Sequence, residues 1–244
     1  SNPPVVIFSP ARRVRDNTTK HSLENVLEVP EVVINIVDYD MVQQTSLSSC
    51  EYPKGVNEFM KSGFTEEKSS LVKPPLVKES KIKIECLVKE VKPLGTEGGA
   101  GNLVICEVLA MHIDDRILNA DKKIDQTKLN LVARLGGDWY CKVDSNNLFQ
   151  VAKPNTQLGI GIDALPADIR HSKILTGNNL AQLANVSEMP VINPAYDDDR
   201  LKNIIQYYAI NPTELDKELE RYAKELLDAG NVEAAWQVLL ADEN

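Results

Sequence analysis

The feature that most restricts the fold is a pair of apolar runs, residues 81–91 and 103–113, separated by the glycine-rich stretch GTEGGAGN at residues 95–102. In the first run Ile82, Ile84, Cys86 and Val88 alternate with Lys83, Glu85, Leu87 and Lys89. That period of two places one set on the buried face of a half-covered strand. The second run, LVICEVLAMHI, is apolar at both parities, as expected of a strand covered on both sides. Two such runs joined by so short a link pair antiparallel, so the chain builds a β-hairpin in a closed sheet. Gly98, Gly99 and Gly101 also fit a phosphate loop, but such loops open a helix, and these separate two strands. The stretch reads as a flexible hairpin turn.

Residues 5–8 (VVIF) and 31–38 (EVVINIVD) are short continuous runs of the kind buried on both faces. Between them lies SPARRVRDNTTKHSLEN, residues 9–25, where Arg12, Arg13, Arg15 and Lys20 are interleaved with Ser9, Asn17, Thr18, Thr19 and Ser22, just ahead of an amphipathic helical segment. Exposed helix N–H groups beside guanidinium and ammonium groups form an anion cradle. A solvated strand-to-helix turn whose Thr and Ser are only caps fits the same residues. A second cluster is VARLGGDWY, residues 132–140. Gly136-Gly137 permits close backbone approach, and Arg134, Trp139 and Tyr140 suit a flat anionic or aromatic ligand; the alternative is a tight turn with an aromatic anchor. His112, inside an apolar strand, reads as a satisfied structural histidine, with a nicotinamide contact as the rival.

A helical stretch is expected over residues 40–49, and a short helix bracketed by Gly55 and Gly63 should carry Val56, Phe59 and Met60 on one face. Pro74-Pro75 marks an extended connector, and residues 119–125 form a turn with too few carboxylates for a calcium loop. Beyond Asp144 the pattern predicts an edge strand at residues 148–152, a connector at 158–162, helix starts at Pro166 and Thr176, and a linker around Pro190 and Pro194. Two closing helices follow: one begins at Asn211-Pro212 with the stripe Leu215, Leu219, Tyr222 and Leu226, and one follows Gly230 through Ala234, Trp236 and Leu239.

The net charge of -9 sits mainly in residues 157–244, where 7 Lys+Arg face 15 Asp+Glu, giving -8 and leaving -1 for the rest. An acidic chain without a basic stripe argues against nucleic acid. Acidic outer helix faces, and the lack of a spanning apolar run, argue against a membrane. Cys50, Cys86, Cys106 and Cys141 are widely spaced and read as buried free thiols, which places the protein in the reducing cytoplasm. His21, His112 and His171 lie too far apart for a His-based metal centre. Strand-like residues follow Ser1 almost at once, so further residues are expected upstream.

Taken together, residues 1 to about 143 resemble the flavin reductase-like FMN-binding split-barrel family, which includes flavoredoxin and the reductase components of flavin-dependent monooxygenases. Five blocks carry the resemblance, in order: KHSLENV at residues 20–26, YPKGVNEFMKSGFT at 52–65, VKPPLVKESKIKIEC at 72–86, GNLVICEVLAMHIDD at 101–115 and VARLGGDWY at 132–140. The resemblance implies a mainly β fold: a six-stranded antiparallel Greek-key split β-barrel with short helices over residues 1–145, followed by an added α-helical tail over 146–244. It implies a homodimer that binds FMN, an enzyme passing hydride from NADH or NADPH to FMN, and an oxygenase or other acceptor for the electrons. Lys20 and Ser22 would sit at the FMN phosphate, with Ser9, Arg12 or Arg13, Thr19 and His21 in the same turn; His21 replaces the usual acidic residue. Arg134, Gly136, Gly137 and Tyr140 would flank the flavin. The family's first strand and ring-contacting run would lie upstream of Ser1. No catalytic side chain is implied, because the flavin carries the chemistry. A non-catalytic flavin-binding electron carrier and a dimeric binding scaffold remain as alternatives.

Overall fold

The computed structural model describes residues 2–151 and 158–241, and the chain forms two units, Ser1–Phe149 and Gln150–Asn244. In chain order the first carries β1 (Val5–Phe8), α1 (His21–Glu28), β2 (Glu31–Asn35), α2 (Val42–Ser48), α3 (Glu58–Ser62), β3 (Glu66–Glu67), β4 (Leu76–Val77), β5 (Ile82–Pro93), β6 (Asn102–Ile113), β7 (Leu131–Gly136) and β8 (Trp139–Val143). The second carries α4 (Ala167–Arg170), α5 (Gly177–Ala184), α6 (Asp199–Tyr208), α7 (Pro212–Asp228) and α8 (Val232–Leu239).

The long hairpin is β5–β6, antiparallel from Ile82↔Ile113 to Pro93↔Asn102. Its register steps twice, passing over Leu109 on β6 and then Lys89 on β5. The two bulges compensate, so Ile84, Cys86, Val104 and Cys106 share one core. β1 pairs with β6 and β2 with β5, giving the antiparallel order β1-β6-β5-β2. α1 crosses between the two edge strands and buries Leu23 and Val26, the latter in that same core. β7–β8 is a separate two-stranded ribbon, attached where Asp38 bridges Leu131 and Tyr39 N–H donates to Asn130 O at 2.9 Å. Lys81 fixes that attachment, its Nζ lying 2.8 Å from the buried Asp38 carboxylate and 3.0 Å from Asp40.

Glu85 is fully buried on β5. Its Oε1 accepts from Ser70 N–H at 2.8 Å, its Oε2 from Leu71 at 2.6 Å and Val72 at 3.1 Å, and His112 Nε2 lies 2.6 Å from Oε1. Three successive backbone donors make an anion nest, which ties the proline-rich connector to the sheet. Burial pushes the Glu85 carboxyl up, but the nest and the imidazole outweigh it and hold the group below the ordinary carboxylate range.

The second unit packs α4–α8 around Leu183, Leu219, Ala223, Leu227, Ala235 and Trp236. Trp236 Nε1–H donates to Leu183 O at 3.2 Å inside that core. Thr176 and Asn179 form a capping box on α5, and Gly230, at φ +80°, separates α7 from α8.

Several expectations change. Helix outweighs strand along the described chain, so the class is mixed α and β rather than mainly β: the second unit adds helices and, among its described residues, no strand. The sheets do not close into a barrel among the described residues. β1 is an edge strand with Ile7 57% exposed, and Met111 on β6 is 51% exposed, so neither strand is covered on both faces. Met60 on α3 points to solvent, and Cys50 and Cys141 are exposed, leaving Cys86 and Cys106 as the buried thiols. Residues 148–151 form no strand, and Ala152 lies outside the described residues. α6 is a helix the sequence pattern did not predict, beyond the linker at Pro190 and Pro194; its start is set by Asp198, whose carboxylate accepts from Leu201 N–H at 2.9 Å and Tyr222 O–H at 2.6 Å.

Glu85→Gln turns an acceptor oxygen into a donor facing the nest, and an unsatisfied buried group costs about 1–3 kcal/mol. Unfolding in urea should show a loss of roughly 2–3 kcal/mol. Because the folded carboxyl titrates below its unfolded value, its stabilisation is present above the ordinary carboxylate range and is lost as pH falls through the folded value. A plot of stability against pH should therefore lose part of its acid limb in the variant.

Candidate functional site

The turn between β1 and α1 is held from two sides. Its backbone docks on the β5–β6 loop: Arg12 N–H donates to Ala100 O at 2.8 Å and Gly99 N–H to Arg12 O at 3.0 Å. A Cβ on Gly98 would stand 3.0 Å from Val14 O and 3.2 Å from Arg13 O, so this glycine serves a close approach rather than a flexible turn. Within the turn, Asn17 adopts φ 57° and Arg12 folds over it, Nε donating to Asn17 Oδ1 at 2.6 Å. Arg13 donates to Thr18 Oγ1 at 3.0 Å and to Thr19 O, and pairs with Glu51 at 3.3 Å. Arg15 lies on the same Glu51 at 3.1 Å and on Asp16. The Asp16 carboxyl, bonded first by Thr18 and then by Arg15, falls to about 2. All three arginines are thus committed to protein oxygens.

Lys20 and Ser22 are different. Both are exposed, and neither side chain has a partner among the described residues. Lys20 is the residue capping α1, in extended conformation with no side-chain cap bond, so the first-turn N–H groups receive no acceptor from it beyond its backbone carbonyl. Half-buried His21 opens the helix. Thr19 Oγ1–H donates to Glu24 at 2.9 Å, and Lys54 covers the same carboxylate at 3.4 Å. Ser9 is exposed, its Oγ against Gly101. The turn therefore brings Ser9, Arg12, Arg13, Thr19, Lys20, His21 and Ser22 into one segment, with Lys20 as its uncommitted cation and Ser9 and Ser22 as hydroxyls without a hydrogen bond among the described residues.

Arg134, Gly136, Gly137 and Tyr140 lie on the β7–β8 ribbon, and among the described residues no hydrogen bond, ion pair or ring contact joins them to residues 9–22. Gly136 and Gly137 stand at φ +118° and +51° with nothing within 4 Å of a built Cβ. Gly136 ends β7 opposite Trp139 and Gly137 opens the turn that follows, both in backbone conformations that favour glycine. Arg134 lies 6.0 Å from the Tyr140 ring centroid and donates to Gly137 O at 3.2 Å. Trp139 is 77% exposed at the tip. The nest at Glu85 and its contact with His112 escaped the sequence reading, because its donors are backbone N–H groups 13–15 residues away. Among the described residues no group of His, Cys, Asp and Glu suits a metal ion, and no helix is long and apolar enough to cross a membrane.

Residues 1–128 match the flavin reductase like domain. An uncharacterized protein from Aquifex aeolicus (strain VF5) is 34% identical over 140 residues, covering 57% of this chain and 69% of its own. Among solved structures, nitrilotriacetate monooxygenase component B from Bacillus cereus is 26% identical with a TM-score of 0.56, covering 62% of this chain and 73% of that one. A proposed flavin reductase with a split barrel domain from Shewanella frigidimarina NCIMB 400 is 29% identical with a TM-score of 0.51, covering 62% and 72%. The domain match spans more than half of the chain, which belongs to the flavin reductase like family.

The contrast between the committed arginines and the free lysine is measurable. Arg13→Ala removes bonds to Thr18, Thr19 and Glu51 and should cost about 1–2 kcal/mol of unfolding free energy. Lys20→Ala should stay within about 0.5 kcal/mol of the parent in the same urea titration.

Proposed function

We propose that this flavin reductase like protein is an FMN-binding oxidoreductase that takes hydride from NADH or NADPH and delivers electrons to an acceptor such as a partner oxygenase. The observation that carries the reading is Lys20: an exposed, unpaired ammonium at the start of α1, beside the unpaired Ser22 hydroxyl, in a turn whose arginines are held elsewhere. A phosphate takes its hydrogen bonds from such uncommitted donors at a helix start. Ser9, Arg12, Arg13, Thr19 and His21 frame the same turn. When bound, FMN supplies the hydride and electron chemistry. The chain's task is to fix the phosphate, shape the ring site and exclude water.

In this reading β1, β2, β5, β6, β7 and β8 are the six strands of a split barrel spanning residues 1–145, and residues 146–244 are a helical extension. The exposed Ile7 and Met111 on the sheet, with Leu135 and Trp139 on the ribbon, are apolar surface suited to a second copy. A homodimer would cover it and bring Arg134, Gly136, Gly137 and Tyr140 against the flavin. The component B likeness supports an oxygenase as acceptor, and the two buried unpaired thiols support a cytoplasmic setting.

Two measurements test this. Stopped-flow mixing of FMN-loaded protein with NADH and with NADPH should bleach the flavin with at least one donor; a flavin that stays oxidised with both leaves an electron carrier instead of a reductase. Lys20→Ala should weaken FMN binding in a calorimetric titration by roughly 1.5–3 kcal/mol, the worth of a charge-assisted bond. Unchanged affinity would move the phosphate away from α1.

A further inference from the structure

The flavin reading leaves the Glu85–His112 pair unused, and His112 lines a cleft of about 350 Å³, toward the small end of ligand sites. Glu85 already accepts from three backbone N–H groups, so it stays an ionised acceptor and sets the tautomer of its neighbour. Nε2, 2.6 Å from the carboxylate, carries the hydrogen, and in the neutral ring the lone pair lies on Nδ1. The side chain of His112 is 34% exposed, and among the described residues nothing donates to Nδ1. In its neutral form the ring therefore offers an oriented acceptor with no donor among the described residues.

The charges around it are paired, with one exception. Lys68, Lys81 and Lys83 line the cleft against Glu67 and Asp114. Lys83 holds Glu67 at 2.5 Å, Lys81 holds Asp38 and Asp40, and Arg116 holds Asp114 at 2.6 Å. Lys68 has no ion-pair partner among the described residues. Leu76 and Ile113 supply the apolar part of the lining.

We propose that this cleft binds a small hydroxycarboxylate, with the carboxylate at Lys68 and the hydroxyl donating to His112 Nδ1. The free ammonium asks for an anion and the free lone pair for a donor, and one small molecule of this class supplies both. The site shares no residue with the FMN phosphate turn, and its test needs no flavin, so the two readings fail separately.

The test is alkylation of the full chain, with thiols reversibly blocked, by bromoacetate and by its neutral counterpart bromoacetamide, mapped by peptide mass spectrometry. In each case the Nδ1 lone pair attacks the methylene carbon, an N–C bond forms and bromide leaves. His112 should react roughly fivefold faster with the anionic reagent, about the upper worth of one exposed ion pair, while His171 shows no such preference. Lactate should protect His112 better than propionate, which lacks the hydroxyl. Lys68→Gln, a change at an exposed position, should abolish the preference. Equal rates with the two reagents at His112, a preference that survives Lys68→Gln, or equal protection by lactate and propionate overturns the proposal.

Discussion

The β5–β6 ladder is the constraint on which the first unit depends. Each of its edges recruits one further strand, one of its faces gives α1 a core to cover, and its loop holds the β1–α1 turn. The two register steps are part of that role. A single bulge would exchange inner and outer sets for the rest of the hairpin. The second step restores the alignment, so that Val91 still lies opposite Val104 beyond it. Between the steps the strand twist changes locally, next to where Glu85 turns into its nest.

Electrostatics then sorts side chains that look alike in sequence. Four cations lie within nine residues, yet three are consumed by the architecture of the turn, through Asn17, Thr18, Thr19, Asp16 and Glu51. Only a cation left over can serve a ligand without first breaking a bond. The same accounting applies at the cleft, where Lys81 and Lys83 answer carboxylates and Lys68 does not.

What was legible in the sequence was local. The hairpin follows from alternation over residues 82–89, the α5 start from Thr176, and the α7–α8 break from Gly230, because each signal and its effect lie within a few residues. What was hidden depends on partners far along the chain. Arg13 is committed partly by Glu51, 38 residues on, and the purpose of Gly98 is set by the backbone of Val14. α6 was missed because its cap, Asp198, is held partly by Tyr222 on another helix. The basic turn could be recognised from its residue types; which of its cations are free could not.

The β7–β8 ribbon is joined to its surroundings at the root, through Asp38, Tyr39 and Lys81, and its tip carries an exposed tryptophan. Mechanically this is a cantilever. With about 3.3 Å of rise per residue, five to six residues place the tip roughly 18 Å from the clamp. A tilt of about ten degrees at the clamp then sweeps the tip through roughly 3 Å, close to one hydrogen-bond length. The position of Trp139 is thus set at the far end of the ribbon, where Lys81 holds the Asp38 that bridges its root.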